Sequence, residues 1–261
     1  MSLLQIEHVQ QTYVDQYNGE RVTAIDDVNF TIPEGQFVSL IGPSGCGKTT
    51  MLNIVAGFVK ATGGRVLLAG EQITGPGVDR GVVFQDFALF PWMTVEKNVA
   101  FGLKMRGMPK PQRLEEARRM IGLVGLEGFE RKYPHELSGG MRQRAGVARV
   151  LATEPTMMLM DEPFASIDAQ TRRTLQQEVL RIWETQRPTV LFVTHDVEEA
   201  IFMADRVVVL SGRPSTVAAD LEVTLPRPRV WKETARDPEF LRMRGRLMTM
   251  LGVEDEEEAE L

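Results

Sequence analysis

The sequence has little of several residue types, and each shortage excludes a class of protein. It contains one cysteine, Cys46, which cannot form an internal disulfide and therefore favours a reducing compartment. Lys and Arg are outnumbered by Asp and Glu, 30 against 36, and the formal net charge is −6. A chain with this charge does not favour a nucleic-acid-binding surface. We therefore expect no nucleic-acid partner.

Long hydrophobic runs are also missing. No stretch approaches the roughly 18 apolar residues that a membrane-spanning helix needs. Residues 1–10 have neither a basic start nor a long apolar run, so we expect no secretory signal. These absences predict a soluble chain that reaches a membrane only through a partner. With 261 residues, 43% of them hydrophobic, the chain can bury the core of one large domain, with or without an appended subdomain.

Short apolar runs alternate with helical patterns along the chain. The runs have the length and composition of buried parallel strands and lie at residues 38–41, 81–84, 157–160, 190–193 and 207–210. Strands that alternate with helices predict an α/β domain with a mostly parallel sheet. Between residues 86 and 155 the strand pattern disappears, and we predict an inserted helical subdomain there.

Helix starts and ends are marked by capping residues. Helices are predicted at residues 49–55, 113–123 and 141–151, with Gly57 as the C-cap of the first helix. Asp196 and Glu199 have the spacing of a capping box. A last helix follows Asp237, and its apolar face carries Phe240, Met243, Leu247 and Leu251. The acidic run at residues 254–258 is predicted to be a solvated tail.

The residues that follow the first buried strand form a phosphate-binding pattern. The pattern, here named the phosphate loop, is Gly42-Pro43-Ser44-Gly45-Cys46-Gly47-Lys48-Thr49, with Thr50 directly after it. Glycines allow backbone N–H groups to point into one concavity, and the following helix start adds a positive dipole end. Lys48 would contact the β- and γ-phosphates, and the Thr49 hydroxyl would bind Mg²⁺. A glycine-rich turn without a ligand is the alternative, and the strand before the loop and the helix after it argue against that alternative. Cys46 is explained as a loop position, so we expect no redox role.

Polar residues follow three further strands. Asp161 and Glu162 end the strand at residues 157–160; Asp161 would hold Mg²⁺ through water, and Glu162 would orient or deprotonate the attacking water. Gln85 could contact the metal or the water from another strand end, and His195 could contact the γ-phosphate. Each motif alone is weak, because acidic pairs and histidines at strand ends are usually only solvated or structural. Their combination with the phosphate loop carries the prediction.

A second anion site is predicted in the signature segment, which we define as residues 137–141. Ser138 has the character of an N-cap, and Gly139 and Gly140 open the helix that continues from Met141. A hydroxyl and bare backbone N–H groups at a helix start can bind an anion. The alternative is a capped helix with no ligand. Two phosphate-directed helix starts in one chain predict a nucleotide held between two surfaces.

Taken in order, these motifs resemble the nucleotide-binding subunit of an ABC transporter over about residues 4–225. In that family's terms, residues 42–49 are similar to the Walker A loop and Gln85 to the Q-loop. Residues 137–141 resemble the signature motif, and residues 157–162 resemble Walker B. Residues 166–168 resemble the D-loop, with Asp168 as its carboxylate, and His195 resembles the switch histidine. Tyr13 fits the aromatic position that stacks on adenine. Tyr17 is a weaker candidate, because residues 14–21 look like an insertion.

The resemblance implies a fold class and a domain organisation. The fold class is α/β, a P-loop NTPase (RecA-like) with a parallel-sheet core, an N-terminal antiparallel β subdomain and an inserted helical subdomain. The nucleotide-binding domain would span residues 4–225, with the helical subdomain at about residues 87–155, and residues 226–261 would form a C-terminal helix and acidic tail. ATP and Mg²⁺ are the implied cofactors. Thr49, Gln85 and Asp161 are the implied metal ligands.

The resemblance also implies partners and a location. A second copy would form a head-to-tail dimer, with each ATP between the Walker A loop of one subunit and the signature motif of the other. The helical subdomain would bind transmembrane permease subunits, for which Phe87, Phe90 and Trp92 are candidate contacts, although packing within the subdomain explains them equally well. A periplasmic or lipid-anchored substrate-binding protein would act indirectly. The chain would lie peripherally at the cytoplasmic face of the cell membrane.

Two positions depart from the usual family pattern. Met141 replaces the usual final glutamine of the signature, and the D-loop reads Ser-Ile-Asp at residues 166–168 instead of Ala-Leu-Asp. Neither change removes a hydroxyl, glycine or carboxylate that hydrolysis needs. Met141 also resembles the signature of nitrate, taurine and alkanesulfonate importers, as do residues 90–92 and the Leu-Pro-Arg-Pro-Arg segment at residues 225–229. This similarity predicts uptake of a small anion.

Two other classes of protein remain as alternatives. A non-transport ABC ATPase in DNA repair, chromosome maintenance or translation would usually carry long coiled coils, a duplicated cassette or strongly basic extensions, and the sequence has none of these. A P-loop kinase or GTPase would leave the signature segment unexplained. Asn98 lies in a Glu-Lys-Asn run, but no Asn-Lys-x-Asp base-reading motif follows it.

Overall fold

The computed structural model describes residues 2–15, 19–86, 88–165 and 167–252. Four predictions fall outside these ranges: the roles of Tyr17 and Phe87, the D-loop position of Ser166, and the acidic tail at residues 254–258. The chain divides into two compact units. The first unit is Met1–Gly77 with Thr189–Leu261, and the second unit is Val78–Pro188.

The first unit contains an antiparallel sheet, as expected for the N-terminal part of the chain. Its strand order is β2-β1-β4-β5, and the strands are β1 Ser2–Val14, β2 Arg21–Pro33, β4 Gly63–Leu68 and β5 Glu71–Gln72. Several register shifts interrupt the β1–β2 pairing. Side chains on one face of β1, including Leu4, Ile6 and Val9, are buried, so this sheet has its own apolar face.

The same unit contains parallel strands that are buried along their whole length. β3 Phe37–Ile41 pairs in parallel with β8 Thr189–Val193 on one side and with β9 Arg206–Leu210 on the other. β10 Val217–Glu222 pairs antiparallel with β9. All five residues of β3 and of β8 are buried, because strands covered on both faces need apolar side chains on both. The predicted strands at residues 38–41, 190–193 and 207–210 are confirmed.

Four helices lie in the described part of the first unit. They are α1 Lys48–Ala56, α7 Val197–Met203, α8 Trp231–Thr234 and α9 Pro238–Leu251. Gly57 ends α1 in the left-handed conformation, with φ of 79°, as predicted for a C-cap glycine. α9 starts after the predicted cap Asp237, and Phe240, Met243 and Leu247 are buried. Leu251, predicted on the same face, is only partly buried.

The second unit pairs two parallel strands and carries most of the helices. β6 Arg80–Val83 pairs in parallel with β7 Met157–Asp161. The helices are α2 Val95–Val99, α3 Phe101–Met105, α4 Lys110–Leu123, α5 Gly139–Leu151 and α6 Ala169–Gln186, with a 3₁₀ turn at Pro134–Glu136. In the described residues from 88 to 156 the structure contains helices and turns and no strand. The predicted domain boundaries stay predictions.

None of the helices within the described ranges is long and apolar enough to cross a membrane.

Candidate functional site

The phosphate loop joins β3 to α1, and two of its glycines adopt positive φ angles that are unfavourable for other residues. Gly45 has φ of 75° and Gly47 has φ of 106°, both in the region where a side chain is strained. A β-carbon on Gly47 would also come within 3.2 Å of Ile25 on β2. Gly45 and Gly47 are therefore required by the backbone conformation of the loop itself.

Lys48 places its ammonium group directly at this loop. The side chain is largely buried, and Nζ donates hydrogen bonds to the carbonyl oxygens of Gly42 at 2.8 Å and Pro43 at 3.1 Å. A buried cation needs such partners, because an uncompensated charge in the interior is costly. Together with the N-terminal end of α1, the ammonium group makes the loop a positive site suited to phosphate.

Tyr13 lies beside the helix that follows the phosphate loop. It is near the end of β1, 44% of it is exposed, and its hydroxyl is 3.4 Å from Oγ1 of Thr50. An exposed ring next to a phosphate site can stack on a base, because an aromatic face offers a flat apolar surface. The structure thus brings Tyr13, Thr50 and the loop together, and the role of Tyr13 in binding adenine stays a prediction.

Arg213 is a further residue at the loop that the sequence patterns do not identify. Its Nη2 donates a hydrogen bond of 2.7 Å to the Gly45 carbonyl. Arg213 is in the turn between β9 and β10. The buried Ser215 holds this turn against β2, because its hydroxyl and its backbone N–H both donate to the Ala24 carbonyl. The contact joins residues 168 positions apart. No periodicity or local motif in the sequence carries this information.

Cys46 is buried inside the phosphate loop, in agreement with the prediction that it is a structural position of that loop. Its side chain is 1% exposed. Burial raises the pKa of the Cys46 thiol above its ordinary value, and the charge of Lys48 lowers it only in part. The reactive thiolate is therefore scarce at neutral pH.

We expect Cys46 in the folded protein to react slowly with iodoacetamide at pH 7. Because the folded pKa is raised, the thiolate fraction grows only as pH rises beyond the range of an ordinary cysteine, and the rate should follow that rise. Mass spectrometry of alkylated Cys46, compared between folded and urea-unfolded protein at several pH values, measures this difference. Equal rates in the two states at pH 7 would contradict it.

His195 is exposed in a turn between β8 and α7 that is held by neighbouring side chains. Asp196 caps α7 by accepting the backbone N–H of Glu199 at 3.0 Å. In a standard capping box the Glu199 carboxylate would accept the backbone N–H of Asp196. Here Thr194 lies between these two groups. The Thr194 hydroxyl accepts the N–H of Asp196 at 3.1 Å and donates to the Glu199 carboxylate. The turn around His195 is thus fixed from both sides.

In the second unit, three predicted residues lie at one end of the β6–β7 pair. Val83 and Met160 are the last register partners of the two strands. Gln85 and Glu162 each lie two residues beyond that pair, and Asp161 ends β7. The carboxyl ends of parallel strands are where α/β proteins place ligand-binding groups. The structure therefore places Gln85, Asp161 and Glu162 at one edge.

Glu162 has an unusual backbone conformation at this edge. Its φ is 44°, a left-handed conformation that costs a residue with a side chain about 1–3 kcal/mol. Such strain is often found at functional sites, where the surrounding structure holds a side chain in a required direction. The strain singles out Glu162 among the acidic residues of this edge.

The signature segment has the geometry predicted for a helix start that can bind an anion. Ser138 is exposed, and its Oγ accepts the backbone N–H of Met141 at 3.3 Å, so it is the N-cap of α5. A β-carbon on Gly139 would meet nothing within 4 Å. A β-carbon on Gly140 would come within 3.1 Å of Leu175 on α6. Gly140 is thus explained by packing, whereas no described residue of this unit requires a glycine at position 139.

Asp168 caps α6 in the second unit. Its Oδ1 accepts the backbone N–H of Thr171 at 3.0 Å, and this hydrogen bond lowers the pKa of the carboxyl group. The carboxylate therefore stays ionised well into the acid range. Capping explains the local role of Asp168, and its part in a dimer stays a prediction.

Asn98 has a structural role that accounts for it without a nucleotide base. It is fully buried, accepts the N–H of Phe90 at 2.8 Å, and donates to the carbonyls of Phe90, Met93 and Thr94. These bonds fix the loop before α2. The residue thus gives no support to the GTPase alternative.

The fold and the phosphate loop together define a nucleoside triphosphatase of the phosphate-binding-loop class. The sequence profile described as ABC transporter matches residues 25–165. An uncharacterised ABC transporter ATP-binding protein of Methanocaldococcus jannaschii is 50% identical over 95% of this chain and 91% of its own length. The taurine import ATP-binding protein of Escherichia coli K12 is 48% identical over 93% of this chain and 94% of its own length.

Solved structures agree with this assignment. A dimeric ATP-binding cassette in a post-hydrolysis state with ADP and phosphate has a TM-score of 0.73 and 31% identity, and it covers 85% of this chain and 100% of its own. A dimeric bacterial ABC transporter cassette has a TM-score of 0.74 and 32% identity over the same shares. The chain belongs to the ABC transporter family, and it is an ATPase. The predicted P-loop NTPase fold class is confirmed.

Proposed function

We propose that this chain is the ATP-hydrolysing subunit of an ABC importer for a small anion such as taurine, an alkanesulfonate or nitrate. The observation that carries the proposal is the 48% identity to a taurine import ATP-binding protein over almost the whole of both chains. The Met141 form of the signature segment supports the same subfamily. The alternative, a non-transport ABC ATPase in DNA repair or translation, has no such support.

We propose that each ATP is held between two copies of the chain, with the phosphate loop from one copy and the signature segment from the other. Gly139 supports this arrangement, because no described residue of its own unit fills the space next to it and its backbone N–H can approach a phosphate. The dimeric state of two solved cassettes that this chain resembles supports it as well. ATP would close the dimer and hydrolysis would reopen it. Asp168 would act at the same dimer interface.

The proposed roles follow from the chemistry of each residue. Residues 42–50 would bind the phosphates, and Tyr13 would stack on adenine. Glu162 would accept a proton from the attacking water, and Gln85 and His195 would orient the water and the γ-phosphate.

Mg²⁺ fits the proposed set of metal ligands. Thr49, Gln85 and Asp161 offer a hydroxyl, an amide and a carboxylate oxygen, the hard donors that this ion prefers. When bound, Mg²⁺ supplies positive charge that offsets the charge of the phosphates. The other roles belong to side chains of the protein.

A groove in the second unit is proposed to bind the permease. It has a volume of about 380 Å³, and its apolar lining comes from Met93, Ala100, Phe101 and Leu114. Its cationic lining comes from Lys97, Lys104, Lys110 and Arg113. The one acidic residue of the lining, Glu96, is paired with Arg118 at 2.7 Å. An apolar groove with a basic rim suits a short helix that carries acidic residues.

Of the permease contacts predicted from the sequence, Phe90 and Trp92 are among the described residues, and their environments differ. The Phe90 ring packs against Phe101, with 4.6 Å between ring centroids, and is partly buried. Trp92 is 69% exposed. Trp92 is therefore the better candidate for a direct contact, and Phe90 would support Phe101 from beneath the groove. The permease would hold the chain at the cytoplasmic face of the membrane, and a substrate-binding protein would act through that permease.

Reconstitution with candidate permease subunits and a substrate-binding protein tests the proposal. We expect taurine, an alkanesulfonate or nitrate to stimulate ATP hydrolysis several-fold, because an importer couples hydrolysis to a loaded binding protein. The Lys97→Glu, Lys104→Glu double variant should keep the basal rate of the isolated chain and lose the stimulation. Stimulation by DNA, with no response to any anion, would contradict the proposal.

A further inference from the structure

The C-terminal segment, residues 226–252, makes its main polar contacts at one end of a short helix. Arg229 is buried, and its Nη1 donates to the carbonyls of Ile201, Phe202 and Ala204 at 3.0, 3.0 and 2.6 Å. These carbonyls lie in the last turn of α7 and its C-cap. The last carbonyls of a helix have no partner within the helix. Arg229 supplies that partner from outside.

Two neighbouring residues strengthen the same attachment. Arg227 donates to the Met203 carbonyl at 2.9 Å and forms an ion pair with Asp205 at 2.8 Å. The Trp231 ring stacks on Phe202 with 4.3 Å between centroids and an interplanar angle of 2°. Cations at a helix C-terminus also interact favourably with the helix dipole. The end of α7 is therefore held by charge, hydrogen bonding and ring stacking together.

The terminal helix α9 contacts α7 nearer its other end. Arg244 on α9 forms an ion pair with Glu198 in the first turn of α7, at 3.2 Å. Phe240, Met243 and Leu247 bury the apolar face of α9. The C-terminal segment thus contacts α7 at both ends.

The helix held in this way carries the turn of His195 at its start. α7 has only seven residues, and a helix of that length has little stability of its own. Its direction in the protein therefore depends on the groups that hold it. His195 immediately precedes Asp196, the N-cap of α7, so a change in the direction of α7 moves the histidine.

We propose that Arg227, Arg229 and Trp231 are positioning residues, which set the place of His195 by fixing α7 from its C-terminal end. The proposal rests on the proposed function, because it assigns the segment a part in hydrolysis through His195. It accounts for a buried arginine at position 229 that ordinary packing of a terminal helix does not require.

A double-mutant cycle between Arg229 and His195 tests the proposal. We expect Arg229→Lys, which keeps the charge but not the fork of donors, to lower kcat about tenfold and to change the KM for ATP by less than about twofold. In a His195→Ala background the same change should cause no further loss, because both substitutions act through one group. Losses that multiply in the double variant would overturn the proposal.

Two further variants distinguish a positioning effect on His195 from a general loss of stability. Arg244→Ala removes a partly buried ion pair and should fold. It should lower kcat in the parental protein and not in the His195→Ala background. Arg242→Ala is the matched control, because Arg242 bonds only within α9 in the contacts the structure gives it, to Glu239 and Pro238. It should leave kcat unchanged. An equal loss in Arg242→Ala and Arg244→Ala would also overturn the proposal.

The outcome separates this inference from the proposed function. If His195→Ala hydrolyses ATP at the parental rate, the role proposed for His195 is wrong, and the positioning role fails with it. If His195→Ala loses hydrolysis while Arg229→Lys and Arg244→Ala keep it, only the positioning role is wrong. Thermal unfolding of each variant, measured in parallel, identifies any that are not folded.

Discussion

Replacing Glu162 by Gln is expected to lower the rate of ATP hydrolysis by a factor of about 100 or more, while ATP still binds. Glutamine has nearly the same size and can keep the left-handed backbone of this position, where φ is 44°, but it cannot accept a proton from water. Loss of a positioned base costs roughly 10²–10⁴ in rate. Phosphate release measures the rate, and binding of a fluorescent ATP analogue measures affinity.

The same substitution should change the oligomeric state in the presence of ATP. If ATP closes a dimer and hydrolysis reopens it, a variant that binds without hydrolysing accumulates as the closed dimer. Light scattering after size exclusion, with and without ATP, measures this. We expect a dimer with ATP and a lower mass without it.

Glu154 provides a matched control for this prediction. It is a glutamate in the same unit with almost the same backbone conformation, φ of 43°, and its ion pair with Arg119 is long, at 3.9 Å. Glu154→Gln should therefore hydrolyse ATP at the parental rate. If Glu162→Gln also hydrolyses at that rate, Glu162 is not the base.

Replacing Ser138 by Arg is expected to abolish hydrolysis while the isolated monomer still binds ATP. Ser138 is exposed at the start of α5, so a long side chain can be accommodated by the monomer. In the proposed dimer the same side chain would occupy the place of the partner's ATP phosphates. Hydrolysis and monomer affinity for ATP should therefore respond differently, and loss of monomer binding would contradict the proposed dimer site.

The smaller change Ser138→Ala separates this effect from loss of the helix cap. Removing an N-cap hydroxyl costs about 1 kcal/mol of stability. Thr94→Ala is the matched control, because Thr94 caps α2 in the same unit through the same kind of hydrogen bond, to the N–H of Lys97 at 3.4 Å. Both variants should lose similar stability, but only Ser138→Ala should lose hydrolysis.

The two glycines of the signature segment add a test with effects of different kinds. Gly139→Ala should leave thermal stability unchanged or higher, because its β-carbon meets no described residue of its own unit within 4 Å and alanine favours a helix. It should nevertheless lower hydrolysis, because the methyl group would lie against ATP in the proposed dimer. Gly140→Ala should instead lower stability through its contact with Leu175.

The parts of the fold that sequence predicts are those with local signals. Strands covered on both faces are continuous apolar runs, so β3, β7, β8 and β9 were identifiable. β6 was identifiable from its short apolar run, although only Val83 of this strand is fully buried. The phosphate loop was identifiable because its turn requires glycines, and Ser138 because a cap requires a short polar side chain. In each case the physical cause acts between residues close in the chain.

Other parts depend on contacts between residues far apart in the chain. Arg213 bonds to Gly45 across 168 positions, and Arg229 bonds to Ile201 across 28, and neither contact leaves a periodic pattern. The apolar residues of β1 and β2 do not alternate regularly with polar ones, because register shifts interrupt the pairing of the two strands. α6 is absent from the predicted elements although Leu175, Val179 and Ile182 follow helical spacing and are buried.

The central claim, that one ATP site is built from two copies of the chain, is tested most directly by mixing two inactive variants. Lys48→Ala damages the phosphate loop and leaves the signature segment intact, whereas Ser138→Arg does the reverse. A mixed dimer then has one site with both parts intact. If dimers form at random from an equal mixture, hydrolysis should return to about a quarter of the parental rate, since half the dimers are mixed and each has one working site. A mixture that stays as inactive as its two components would contradict the claim.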